Sequence, residues 1–474
     1  MSVSETRACR RWAYETFGGM EVGNRRRARR VVAMAAALAA RPAGTVTDVF
    51  DDFADREGAY RLLSNAAVSG QSLAQAMCEA TAQKCALLGK VYVPIDGSSL
   101  SLHDPKGIRG LGGVGAWKDY GRGLQVITAL ALDAQGVAVG VCAQSWWART
   151  QPSPKRGCGR RKLVDKETRF ARATLDDATG RLREHAPNTL AVSVMDRGFD
   201  CWPVLQTARE GAHFIVRAQH DRRLANGPGG ERQYLRETLF SQPVRGRYQV
   251  DVPARAGRAA RVAHMQLQAT RITLELRVAR KRREYVELNA VLAREVNGPQ
   301  AASLSWMLLT TEPVDTLEQM VEVVRGYTFR WRIEEMHRIW KRGGCNVENT
   351  QLRSRGAIEK WAILHCAVAT RALRLSQLAR SQPEVLATEE FTQTEIDAAI
   401  VLRRRRTTLH LGDVPSLGEL VRMIADIGGY TGKSSGGPPG PTVIARGLER
   451  LGVAAQVVEG MRRRKKKPKK VTNG

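Results

Sequence analysis

The spacing of apolar residues changes period along this chain, and the changes divide it. Residues 1 to about 70 carry helical patterning: Ala8 to Phe17, then the alanine-rich run Arg25 to Ala40 with Asn24 placed to cap it. From Val91 the pattern becomes that of strands. Val91 to Ile95 is apolar and runs straight into Asp96, followed by Gly97-Ser98-Ser99. Leu124 to Leu132 and Val137 to Trp147 read as strands joined by the turn Asp133-Ala-Gln-Gly136. A charged helix over about 165–186 precedes the strand Leu190 to Met195, which leads into Asp196-Arg197-Gly198. A short helix near Trp202 to Arg209 and a strand from His213 to Arg217 follow. Three strands, helix, strand, helix, strand predicts a mixed sheet with helices packed against it. A β-rich stretch, Tyr248 to Thr311, then holds strands near Val262 to Leu276, Tyr285 to Glu295 and Trp306 to Thr310. From about 380 the texture is helix and loop, punctuated by Gly436-Gly-Pro-Pro-Gly440, and no internal repeat is present.

Between the β-rich stretch and that last region lies a long helical pattern, Tyr327 to Lys341. At about 100° per residue, Tyr327, Arg330, Glu334 and Lys341 fall within an arc of about 60°. Phe329, Ile333, Met336 and Trp340 cluster opposite and can anchor the helix to a core. The polar face presents one carboxylate among two cations and a phenol, an arrangement suited to a metal-bound phosphate.

Composition adds a partner. The 474 residues suffice for two or three domains, and 43% hydrophobic content is that of a globular protein. With 75 basic against 47 acidic residues the net charge is +28, which makes a polyanion the first partner to consider. The tail from Arg462 to Lys470 supplies eight of those charges, so most of the basicity belongs to the body. Arg25, Arg26, Arg27, Arg29 and Arg30 crowd a helix N-terminus, where cations oppose the dipole; they form either a solvated face or a DNA contact. The eight cysteines are scattered with no CxxC pair, as expected of reduced thiols in a cytosolic protein. No stretch approaches 18 uninterrupted apolar residues, so no membrane partner is expected.

Asp96 and Asp196 stand at or just past the ends of two predicted strands, and sheets place functional groups at such edges. Either alone is explained by turn chemistry. Together with Glu334 they form a candidate set of three carboxylates, which repel unless a cation joins them. Oxygen donors without His or Cys select Mg2+ or Mn2+, and two such ions suit in-line phosphoryl displacement by water or a DNA 3′-OH. Arg330 and Lys341 would hold neighbouring phosphates. Other signals are weaker. The glycine-rich loop Gly107 to Gly123 lacks a P-loop pattern. His103, His213 and His337 share no metal-ligand spacing, Trp146-Trp147 reads as buried, and Trp306 begins an apolar strand and reads as core. The basic tail serves equally as a solvated extension or a DNA contact.

The spacing Y-(2)-R-(3)-E-(6)-K at Tyr327, Arg330, Glu334 and Lys341, with Asp96 and Asp196 upstream, resembles the signature of the IS-four family of bacterial DDE transposases, nearest to the Tn-five transposase. The resemblance covers nearly the whole chain. It is strongest from Leu288-Asn-Ala-Val-Leu-Ala293 through Trp306–Val314 to the Tyr327–Lys341 helix. Weaker blocks are Glu57-Gly-Ala-Tyr-Arg61, Ile95–Leu102 and Phe214–Arg217. Similarity past 380 is scattered, and the basic tail matches no family feature. The resemblance implies an α/β, RNase H-like catalytic core over 71–378 with a β-rich insertion at about 236–312. A helical DNA-binding domain over 1–70 and a helical dimerisation domain over 379–474, with the basic tail at 461–474, would flank it. It implies Asp96, Asp196 and Glu334 as the catalytic triad, holding two Mg2+ ions with Mn2+ a possible substitute. Tyr327, Arg330 and Lys341 would contact end phosphates, Arg217 would be a further DNA contact, and Trp306 would stack on a flipped base, which overturns its core reading. Arg26, Arg27, Arg30 and Arg61 match the end-recognition region. The implied partners are terminal inverted repeats, target DNA and a second copy in a synaptic complex, in a bacterial cytoplasm and at the nucleoid.

The leading expectation is a cut-and-paste transposase. The alternatives are a two-metal DNA endonuclease without strand transfer and a transposase-derived repressor. Three clustered acids argue against a repressor, and the Tyr327, Arg330, Lys341 and Trp306 set argues against a simple nuclease.

Overall fold

The computed structural model describes residues 7–115, 121–149, 166–227, 229–252, 260–279, 282–298, 303–403, 406–432 and 438–466. Cys158, part of the glycine-rich loop and the tail beyond 466 lie outside the described residues. Five helices open the chain: α1 (Arg7–Phe17), α2 (Arg25–Ala40), α3 (Val46–Val49), α4 (Phe53–Ser64) and α5 (Gly70–Cys85). Asn24 caps α2 as expected, its side chain accepting from the Arg26 backbone N–H. Strands β1 (Lys90–Leu102), β2 (Gly112–Gly113), β3 (Arg122–Asp133) and β4 (Ala138–Trp147) follow. Next come α6 (Thr168–His185), β5 (Leu190–Met195), α7 (Trp202–Leu205), β6 (His213–Arg217) and α8 (Leu235–Phe240). The β-rich stretch supplies β7 (Gly246–Val252), β8 (Arg261–Ala279), β9 (Arg282–Glu295) and β10 (Ser305–Thr310). Helices α9 (Leu317–Thr328), α10 (Trp331–Lys341), α11 (Arg355–Ser381), α12 (Gln393–Arg403), α13 (Leu417–Ile427) and α14 (Pro441–Lys466) complete it.

All ten described strands join one mixed sheet, in the order β2-β3-β1-β5-β6-β10-β9-β8-β7 with β4 on β3. β1, β5 and β6 are parallel neighbours, in register from Lys90↔Leu190 to Ile95↔Met195 and from Val192↔His213 to Met195↔Val216. β10 returns antiparallel to β6, so the β-rich segment extends the central sheet rather than folding apart from it. Strand alternation sorts side chains into two cores. Tyr92, Val192, Val194, Ile215, Trp306 and Leu308 face the layer containing α9, α10 and α11. Val91, Val93, Ile95, Phe214, Val216 and Leu309 face α6, α7 and α8. The same alternation puts Asp96, Asp196 and Arg217 in phase with the first set, toward α10.

Two expectations need correction. Asp96 does not end its strand: β1 continues to Leu102, because residues 97–102 stay paired with β3 from Gly97↔Ile127 to Leu102↔Arg122. What stops beside Asp96 is β5, whose pairing with β1 ends at Ile95↔Met195. The helical run from Tyr327 to Lys341 is also not one helix. It breaks at Phe329 and Arg330, where Phe329 N–H donates to Gly326 and Arg330 N–H to Tyr327, three-residue turns rather than four. Phe329 packs edge-on against Tyr92 at 5.3 Å and lies over Gly136, a turn glycine at φ +81 where a Cβ would come within 2.6 Å of its ring.

Candidate active centre

Asp96 and Asp196 face each other across the end of the β1–β5 pairing. Asp96 accepts the Gly97 N–H at 2.8 Å, and Asp196 caps the turn Arg197–Phe199 by accepting the Gly198 N–H at 2.7 Å. Burial, and then the neighbouring Asp196 carboxylate, push Asp96 up from 3.8 to about 6. Arg330 and the Gly97 N–H pull it down, while Glu334 adds to the rise. The three carboxylates expected to act together thus share one electrostatic neighbourhood.

Arg330 sits between two of them. Its guanidinium donates to Glu334 at 2.6 Å and lies 3.7 Å from Asp96, and the residue is almost fully buried. Glu334, in the first turn of α10, is drawn toward this cation. Among the described residues no three His, Cys, Asp or Glu side chains stand close enough to hold an ion as placed. The donor set nevertheless fits a hard divalent cation. It is all carboxylate, Asp96 resists ionising, and a positive group already stands between Asp96 and Glu334.

The expected DNA contacts stand in different surroundings. Tyr327 is not on an exposed face: it is buried, with Trp306 edge-on at 5.5 Å and Arg217 beside its hydroxyl. The break at Phe329 separates it from the α10 face and turns it into the core. Trp306 is likewise buried, so the packing matches the pattern reading, and its ring contact is with Tyr327. Arg217 also donates to the Ser305 carbonyl at 3.2 Å. Lys341 lies 3.7 Å from Glu348, a residue that pattern reading missed. Glu348 also accepts from Arg342 at 2.8 Å and from the Ser101 N–H on β1 at 2.8 Å, so one acid ties the end of α10 to the strand bearing Asp96. No motif marks Glu348; only its place shortly after a run of bases hints at it.

In the N-terminal helices Arg26 is exposed, whereas Arg30 pairs with Asp55 at 3.0 Å and Arg27 donates to the Val22 carbonyl at 3.2 Å. Arg30 reaches Asp55 across Gly58, where any Cβ would collide with its guanidinium. Arg61, mostly exposed, pairs with Glu57 at 2.5 Å. Elsewhere His337 is buried and pushed down to about 3, which fits a neutral structural role. Trp146 and Trp147 are half-buried, against Trp340 and Phe170. The described cysteines are free thiols, all buried but Cys201. No described helix is long and apolar enough to cross a membrane.

Three family models match the chain in tandem. Transposase DNA-binding matches residues 9–68, Transposase DDE domain residues 166–371, and Transposase Tn5 dimerisation domain residues 367–469. The second match contains Asp196, Trp306 and the Tyr327–Lys341 run; Asp96 precedes it. The third runs through most of the basic tail, correcting the expectation that the tail has no family counterpart. DDE domains of this kind use divalent metal ions, typically Mg2+, and the flanking matches make the protein a DNA binder that forms homodimers. The chain belongs to the Tn5-like DDE transposases, DNA-cleaving enzymes of transposition.

Proposed function

We propose that this transposase works by cut and paste. It nicks DNA at the ends of its element, and the freed 3′-OH attacks the opposite strand to form a hairpin. Water opens the hairpin, and the 3′-OH then joins target DNA. The observation that carries this reading is that Asp96 feels both Asp196 on the neighbouring strand and Glu334 on α10, with Arg330 between Asp96 and Glu334. Two Mg2+ ions held by these carboxylates, or Mn2+ in their place, would supply Lewis-acid activation of the attacking and leaving oxygens.

The remaining residues bind and orient DNA. Arg330 and Lys341 exchange their present carboxylate partners for phosphates of the end, and Tyr327 and Arg217 hold an adjacent phosphate from the β6 side. Trp306 leaves the Tyr327 ring to stack on the base extruded as the hairpin forms. Arg26, Arg27, Arg30 and Arg61 engage the terminal inverted repeat. The division of labour follows 1–70, 71–378 with its insertion at about 236–312, and 379–474. A homodimer brings two ends together, in the cytoplasm at the nucleoid.

The test is incubation with Mg2+ and DNA carrying the element's own flanking ends, scored for nicks, hairpins and joined products. All three products are expected. Nicks alone would replace this reading with an endonuclease, and binding without cleavage would replace it with a repressor.

A further inference from the structure

We infer that Arg330 is a resident counter-ion of the metal site, one that must leave Glu334 before the three carboxylates can take a divalent cation. The inference rests on the metal-binding reading above and adds a role that phosphate holding does not contain. Its basis is the placement of the guanidinium. Arg330 is 8% exposed, donates to Glu334 at 2.6 Å and approaches Asp96 to 3.7 Å. It therefore occupies the space between two ligands expected to share an ion.

Three features mark this as exchangeable rather than permanent pairing. First, the charges do not balance: one guanidinium is shared by two carboxylates, Glu334 at 2.6 Å and Asp96 at 3.7 Å. Second, the arginine is not satisfied. Its Nε is buried without a hydrogen-bond partner, so part of its donor set stays open to a new acceptor. Third, it stands at the break between α9 and α10, outside either helix proper, so it can shift without unwinding a turn. The guanidinium already lies 4.9 Å from the Trp331 ring, which is 40% exposed, giving it a path toward solvent.

The arrangement couples DNA binding to metal loading. Without DNA, Arg330 offsets part of the carboxylate repulsion and weakens cation binding by occupying Glu334. A DNA phosphate draws Arg330 away and frees that carboxylate, so each ligand favours the other.

The experiment measures Mn2+ binding to the full chain by electron paramagnetic resonance without DNA. Arg330→Ala and the neutral but polar Arg330→Gln should bind Mn2+ at least about tenfold more tightly than the wild type, while Arg330→Lys stays close to it. Asp96→Asn and Glu334→Gln should lose the site. Adding an end duplex, with its own Mn2+ uptake subtracted, should tighten binding more in the wild type than in Arg330→Ala. Equal Mn2+ affinity in the wild type and in both neutral variants, with the site still lost in Asp96→Asn, overturns the counter-ion role and leaves the metal reading standing. Mn2+ binding unaffected by Asp96→Asn and Glu334→Gln overturns both.

Discussion

Replacing Asp96 by asparagine should make the DNA-free protein more stable while ending catalysis. Asp96 ionises only at about 6 in the folded chain against an ordinary 3.8. Roughly two pH units at ~1.4 kcal/mol each put the charged form at a disadvantage of about 3 kcal/mol near pH 8. Asparagine, like the protonated acid, keeps an acceptor for the Gly97 N–H, and the attraction of the charged form to Arg330 is already contained in that difference. The gain is then about 3 kcal/mol. Unfolding entropy of ~2 cal/mol/K per residue converts that into a rise in Tm of about 3 °C for a chain this long. The pH dependence carries the sign. Between about 4 and 6 the folded chain holds a proton that the unfolded chain has released, so wild-type stability falls as pH rises through that window. The advantage of Asp96→Asn should be full at pH 8 and fade toward pH 4.5. Calorimetry of both proteins at the two pH values, without divalent ions, reads this directly. A Tm gain independent of pH, or a lower Tm for Asp96→Asn at pH 8, would refute the argument.

Other predictions follow from particular contacts. Trp306→Ala should nick the first strand normally but form hairpins poorly; unchanged hairpin yield would leave Trp306 as a packing residue for Tyr327 alone. Charge reversal at Arg26 should weaken end binding and flatten its dependence on salt, measured by titration at several ionic strengths, with little change in Tm because that side chain is exposed. The same change at Arg30 should also lower stability, since it breaks the pair with Asp55. Gly326→Ala should destabilise by about 1–3 kcal/mol in denaturant unfolding, since its methyl would meet Tyr92 at 2.5 Å and Ile215 at 3.0 Å.

Much of this architecture was legible in the sequence because its signals are local. Leu190–Met195 and His213–Arg217 begin and end where the apolar runs do, and Asn24 caps α2 as its position promised. The turn at Asp133 forms as read, with the carboxylate accepting the N–H groups of Gln135 and Val137. Long-range pairing escaped. Nothing local shows that β3 carries β1 past Asp96, so the strand seemed to end where its apolar run did. The break at Phe329 was hidden because apolar periodicity continues across it; only packing on Tyr92 and Gly136 reveals the turn. That break explains why Tyr327, in phase with Glu334 on an ideal helix, is buried instead. Glu348 could not be found from spacing, since its role depends on Ser101, far away in the chain.

The most direct test of the proposed centre is DNA cleavage by three single variants, Asp96→Ala, Asp196→Ala and Glu334→Ala, on a substrate carrying the element's flanking ends with Mg2+. The three-carboxylate account predicts that each abolishes nicking while binding of the end, followed by gel shift, stays near wild type. Nicking at the wild-type rate by any one of the three would contradict it.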